Sequence, residues 1–364
     1  MCIFFYISGH GFGHAIRQIE IINALSTLSP RTEIFIRTTA PRWLFERTAR
    51  TGSTFIDGEV DTGVVQLDSL TLDEAETIRR ASAFYENVDR LARAEAELLH
   101  RHRATLVVGD APPLACAAAL GAGIPSIVCG NFTWDWIYAA YDEWLPAAPR
   151  LLTTIREAYS SAAAGWRLPM HGGFDTVPNV VDLPFVARQP RSGLTREDIR
   201  HTLGLPSQRP LALISFGGYG LEGLPLDRLD SSPHWDIVVT GMTKLKSGIA
   251  LEESAIYAAG LAYQDLVRAV DVVITKPGYG IISDCVANGT AMLYTERGRF
   301  PEYEVLVREM PRFLRCRFID GEDLRAGRWR DALDALIASP PPPETPRTDG
   351  AAVIAKMIEE ATAG

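Results

Sequence analysis

Two histidines four residues apart among three glycines form the densest chemical signal near the amino terminus: SGHGFGH, Ser8–His14, directly behind the apolar run Cys2–Ile7. Gly9, Gly11 and Gly13 allow backbone angles and close approaches that bulkier residues resist. His14 is expected at the start of a helix, with its imidazole directed into a crevice where it can accept a proton at neutral pH. His10 either shapes the turn or hydrogen-bonds a ligand. Two histidines alone make a poor metal site, and no third ligand stands near them. Asp110, in the turn VVGDAPPLA, can orient a histidine, bind a hydroxyl or cap the following helix.

Beyond Asp110, GNFTWDWIYAAYDEW gathers Trp134, Trp136, Tyr138, Tyr141 and Trp144 with Asn131, Asp135 and Asp142. Aromatic faces beside carboxylates and amides suit a sugar, which offers an apolar ring face and many hydroxyls. Core packing explains the same aromatics equally well. With His10, Gly11 and Phe12, the residues Asn131, Trp134 and Trp136 form a candidate acceptor side.

The second half carries two further glycine turns. LALISFGGYG sets Gly217, Gly218 and Gly220 behind a short apolar run, where successive amides suit a phosphate. DVVITKPGYGIISDCVANG sets Gly278, Tyr279 and Gly280 ahead of a helix whose first N–H groups lack partners. Asp284, one turn into that helix, faces either ribose hydroxyls or solvent. Lys276 marks no P-loop, because no GxxxxGK[ST] occurs. In TERGRFPEYEVL, Arg297, Arg299, Glu302 and Glu304 either bind a sugar or diphosphate or pair with one another at the surface.

Turns of this kind need strands that end in them. Apolar runs at Cys2–Ile7, Glu33–Arg37, Leu106–Gly109 and Ser126–Cys129 alternate with helical patterns at His14–Leu28, Arg42–Thr51, Leu72–His102 and Leu114–Ala122. Leu211–Phe216, Ile237–Thr240, Val272–Thr275 and Ala291–Tyr294 repeat the grammar, with a helix over Ile281–Ala287. Strand-then-helix order predicts mostly parallel sheets covered on both faces. A polar passage places a boundary near residues 186 to 192, giving Rossmann-like domains over 1–188 and 189–364. The prolines of SPPPPETPRTDG end one helix, and AAVIAKMIEEATAG begins another that either caps the second domain or returns to the first.

The 364 residues are 47% hydrophobic and 22% charged, the profile of a globular enzyme in two domains. A net charge of −9 argues against nucleic acid as a partner. Cys2, Cys116, Cys129, Cys285 and Cys316 show neither zinc spacing nor a disulfide pattern. No apolar run reaches the length of a membrane span and no leader pattern opens the chain, so a cytoplasmic protein is expected.

These residues together resemble the GT-B glycosyltransferases, whose two Rossmann-like domains face each other across a cleft. The turn ending at His14 is similar to that of the bacterial lipid-intermediate N-acetylglucosamine transferase and of UDP-dependent natural-product glycosyltransferases. More particularly, GHGFGHAIR, GVVQLDSLTLD, GDAPPLACAAALGAGIPSIVCGNFTWDWIY, FGGYG and KPGYGIISDCVANGTAMLYTERGRFPEYEVL resemble the glycosyltransferase-like N-terminal module of plant L-arabinokinase and its bacterial single-module relatives. The resemblance implies an inverting, metal-independent transfer from a nucleotide diphosphate sugar, UDP-linked, to a hydroxyl of a sugar or other small acceptor. His14 would be the base and Asp110 its partner. Gly217, Gly218, Gly278, Tyr279 and Gly280 would line the diphosphate, with Asp284 on the ribose and Arg299 and Glu302 near the sugar. Asp284 stands where the better-known transferases carry Glu. A sensor without turnover and a nucleotide-sugar epimerase are the alternative readings. The sugar-kinase module is absent from these residues, so kinase activity is not implied.

Overall fold

The computed structural model describes residues 1–49, 52–67, 71–216, 234–240 and 248–363. The first strand, β1 (Cys2–Ile7), is CIFFYI and every residue is buried, as a strand covered by helices on both faces must be. It lies inside a parallel sheet with β2 (Glu33–Thr38), β3 (Thr54–Asp57), β6 (Leu106–Asp110), β7 (Ser126–Phe132), β8 (Ala164–Gly172) and β9 (Val180–Asp182), in the order β3-β2-β1-β6-β7-β8-β9. Two short strands, β4 (Val65–Gln66) and β5 (Leu72–Asp73), pair antiparallel outside it. The chain leaves β1 in opposite directions to β2 and β6, so a crevice opens at their carboxyl ends. Ile7 is in register with Asp110 there.

The second sheet contains β10 (Leu211–Ile214), β11 (Asp236–Thr240), β12 (Ile249–Leu251), β13 (Val272–Thr275), β14 (Ala291–Tyr294) and β15 (Cys316–Phe318), again all parallel. Its order, β12-β11-β10-β13-β14-β15, reverses direction between β10 and β13 and opens a second crevice.

One apolar core runs through both domains. Phe5 and Ile7 belong to the same cluster as Leu183, Phe185, Leu213, Ile282, Ile354 and Ile358. The last two lie on the helix Gly350–Ala363, which packs against the first helix, Phe12–Leu28. The two passages between domains are themselves joined: Phe185 donates its N–H to the Arg347 carbonyl at 3.1 Å and Gly350 donates to the Phe185 carbonyl at 2.9 Å. Val186 and Asp349 form an antiparallel bridge between these bonds.

The single helix expected over Leu72–His102 is two, Glu74–Tyr85 and Val88–Arg101. Asn87 bonds back to the Ala83 carbonyl at 2.9 Å and leaves the helical conformation, the local competition for which asparagine is known. Asp73 caps the first of the two, accepting from the Glu76 N–H at 2.9 Å. Strand β8, AGWRLPMHG, carries no continuous apolar run and was not legible as a strand.

Candidate active site

The helix that follows β1 begins at Phe12, so His14 is its third residue. Gly11 precedes it with φ 71°, a left-handed conformation that glycine adopts freely. This tight entry places His14 and, one turn on, Arg17 and Gln18 over the end of β6. His14 is 6% exposed and Asp110 is fully buried. The Nδ1 atom of His14 lies 3.0 Å from Asp110 Oδ1, making the aspartate the group that orients the ring. Because Nδ1 faces Asp110, Nε2 points to the other side of the ring.

Asp110 holds more than the histidine. Arg17 donates from Nε to Oδ2 at 2.7 Å and from Nη2 to Oδ1, and Gln18 donates to Oδ2 at 3.1 Å. Burial pushes the Asp110 carboxyl up, but Arg17 and His14 outweigh it and hold it at about 2. A bidentate guanidinium is the strongest such partner available in proteins. Arg17 Nη2 also stands 3.0 Å from His14 Nδ1.

A second buried acid lies beside this pair. Asp61 accepts from Ser8 Oγ at 3.1 Å and from Trp134 Nε1 at 2.7 Å. Burial pushes it up to about 6 against those two bonds and the nearby His14. Asp61 has no local motif in the sequence, and only the folding of the loop after β3 brings it here. Burial, then His14, Arg297 and Lys276, hold His10 well below 6.5, which leaves its ring neutral at pH 7.

The structure brings together His10, His14, Asp110, Asn131 and Glu302. Asn131, at the end of β7, accepts from Arg17 Nη1 and donates from Nδ2 to Glu302 Oε1 at 2.7 Å. Glu302 opens the helix Pro301–Glu309 of the second domain, so this bond crosses the cleft. The glycine turns also meet there: a Cβ added to Gly280 would lie 3.7 Å from the Gly13 Cα. Gly278 caps the helix Tyr279–Asn288 without a side-chain bond. Arg297 covers this turn, with Nη1 3.1 Å from the Pro277 carbonyl and 2.9 Å from Glu302 Oε2, while its buried Nε has no partner among the described residues.

Other candidates are placed elsewhere. Trp134 is fully buried, its indole N–H given to Asp61 and its ring stacked on Tyr138 at 5.4 Å, so it walls the site and offers no open face to a sugar. Trp136 lies over the Gly172–Gly173 backbone, where only glycine leaves room for the indole. Phe12 packs edge-on against Trp43 at 5.7 Å. Asp284, 1% exposed, accepts from the Arg188 backbone N–H at 3.2 Å and from its Nε at 2.9 Å; that salt bridge occupies the carboxylate expected on a ribose. Tyr279 turns inward, where its hydroxyl accepts from the Val186 N–H at 3.2 Å. Arg299 reaches across to Glu74 at 3.1 Å, an exposed contact between domains. Gly217, Gly218 and Gly220 lie outside the described residues.

Arg17 and Phe300 complete the site without having been singled out as site residues. Arg17 has a signal, one helical turn after His14 on the same face. The ring of Phe300 lies 5.9 Å from His10 and 6.0 Å from Phe132, with the Arg297 guanidinium 4.4 Å above it. Among the described residues no group of three or more His, Cys, Asp or Glu is placed to hold a metal ion, and no helix is long and apolar enough to cross a membrane.

The arrangement of two Rossmann-like domains across a cleft is that of the GT-B fold. The calicheamicin glycosyltransferase CalG4 superimposes with a TM-score of 0.64 at 14% identity, over 99% of this chain and 98% of that one. The glycosyltransferase VinC, solved with dTDP, gives 0.59 at 15% identity over 100% and 96%. UGT2 of Phytolacca americana, solved with UDP-2-fluoro-glucose and pterostilbene, gives 0.60 at 13% identity over 100% and 94%. In sequence, the chain is 30% identical over 366 residues to L-arabinokinase of Arabidopsis thaliana, a match that takes in 99% of this chain and 34% of that protein. The chain thus spans about a third of that relative's length. No family model matches it.

Proposed function

We propose that this protein is a glycosyltransferase that moves a sugar from a UDP- or dTDP-linked donor to a hydroxyl acceptor, with inversion at the anomeric carbon. The observation that carries the reading is the meeting of two turns across the cleft: a histidine beside a buried aspartate, against a glycine turn whose first helix amides and Arg297 Nε have no partner among the described residues. The dTDP and UDP-sugar bound by the similar structures support a nucleotide diphosphate donor. The likeness to one portion of L-arabinokinase supports kinship with that portion, and sugar phosphorylation is not part of the proposal.

In this reading the amides after Gly278 and the Arg297 guanidinium hold the diphosphate, joined by Gly217 and Gly218. The leaving-group charge is carried by protein groups rather than by a metal. His14 Nε2 takes the proton of the acceptor hydroxyl, whose oxygen attacks the anomeric carbon from the face opposite the diphosphate. The bond from that carbon to the phosphate oxygen breaks, and the nucleotide diphosphate leaves with the electron pair. Asp110 stabilises the imidazolium that forms.

Sensing of a sugar nucleotide without turnover is the second reading, favoured by Trp134 closing the wall beside a nearly buried His14. A screen of UDP- and dTDP-sugars against hydroxyl acceptors, followed by nucleotide release and product mass, separates the two. Transfer is expected, and His14→Ala is expected to slow it about 10²–10⁴-fold while donor affinity stays unchanged. Equal loss of donor binding and transfer would remove His14 as the base. Tight UDP binding with no product from any pair would favour the sensor.

A further inference from the structure

His14 Nδ1 has two suitors at the same distance. Asp110 Oδ1 and Arg17 Nη2 both lie 3.0 Å away, one an acceptor and the other a donor. A ring nitrogen satisfies only one of them. Protonated Nδ1 donates to Asp110 and leaves a lone pair on Nε2, the form that can act as a base. Bare Nδ1 accepts from Arg17, puts the proton on Nε2 and cannot. The position of Arg17 therefore decides whether His14 can do the chemistry.

Arg17 is in turn tied to the second domain. A guanidinium only donates and a carboxylate only accepts, so the amide of Asn131 is fixed in one orientation, oxygen to Arg17 and nitrogen to Glu302. Glu302 is shared with Arg297, whose Nη1 lies 3.8 Å from where a Gly278 Cβ would stand. The hydrogen bonds run without a gap from His14 through Arg17, Asn131, Glu302 and Arg297 to the Pro277 carbonyl.

We propose that Arg17 and Asn131 are positioning residues through which occupancy of the diphosphate turn sets the tautomer of His14. The inference rests on the donor site proposed above. A diphosphate beside Gly278 draws the Arg297 guanidinium onto its oxygens. Glu302, relieved of that cation, binds the Asn131 amide more strongly, and Asn131 draws Arg17 away from Nδ1. One proton leaves Nε2 to solvent and another is taken up from solvent at Nδ1, so the ring charge is unchanged and the base is armed only when donor is present. This order of events would suppress reaction at an empty site.

The test is the imidazole ¹⁵N–¹H correlation spectrum of His14, which distinguishes the two tautomers, recorded with and without saturating UDP and then dTDP. In the wild type, nucleotide is expected to move His14 toward the Nδ1–H form. Asn131→Ala and Glu302→Ala, which cut the connection from opposite domains, are expected to bind nucleotide yet leave the His14 signals in place. Glu302→Gln keeps an oxygen for Asn131 and is expected to restore part of the response, which a general packing defect would not allow. Circular dichroism confirms that each variant is folded. Nucleotide that binds the wild type without moving His14, or moves it equally in Asn131→Ala, overturns the coupling. Failure of both nucleotides to bind the wild type at all overturns instead the donor site on which it rests.

Discussion

At the scale of single residues, the site is a set of buried charges whose proton affinities have been driven apart. Asp110 is held at about 2 because Arg17 and His14 outweigh its burial, and Asp61 is raised to about 6 because burial outweighs Trp134 and Ser8. A carboxyl raised from 3.8 to about 6 on folding adds stability that is fully present below pH 3.8 and lost as pH rises through about 6. Asp61→Asn keeps an oxygen for the Trp134 indole and removes that dependence. Relative to the wild type, the variant is expected to gain about 2 kcal/mol between pH 4 and pH 7 in urea unfolding. A constant difference across that range would show that Asp61 titrates normally. Asp110 acts in the opposite sense: its contribution is present above pH 3.8 and lost as pH falls through about 2.

At the scale of elements, the entry to the first helix shows two glycines with different duties. Neither a Gly11 nor a Gly13 Cβ would meet another atom within 4 Å, yet only Gly11 has a positive φ. Gly11→Ala is expected to cost about 1–3 kcal/mol through the backbone alone, because φ 71° with ψ 175° is a region that essentially only glycine adopts. Gly13→Ala, at a helical position, is expected to add about 0.5–1 kcal/mol, and thermal unfolding of the pair checks both. The same contrast explains what could be read in advance. Strands such as Cys2–Ile7 and Val272–Thr275 are continuous apolar runs closed by turn residues, and their bounds were visible. The His14–Asp110 pair was visible because Asp110 ends such a strand and His14 follows the glycine turn behind another. Asp61 and Arg188 were not, since neither stands in a glycine-rich turn behind a long apolar run and no spacing announces them. Trp134 misled for a related reason, because an aromatic that binds a sugar and one that packs a wall look alike in sequence.

At the scale of the whole molecule, the helix Gly350–Ala363 closes the structure onto the first domain. Ile354 and Ile358 on this helix are fully buried in the core shared by both domains. Ile354→Ala or Ile358→Ala is expected to cost about 2–5 kcal/mol, measured by urea unfolding. Because that core is continuous, loss at the helix is expected to lower the stability of both domains together. A calorimetric scan in which only the first domain melts earlier would show that they unfold independently.

The zipped passage of Phe185–Val186 alongside Arg347–Gly350 has a mechanical meaning. A body hung from one flexible thread can twist and drift in any direction, whereas one hung from two cords laced together swings like a gate on a paired pin. Such lacing resists twisting of one half against the other more than a lone strand would, and so helps keep Asn131 in register with Glu302.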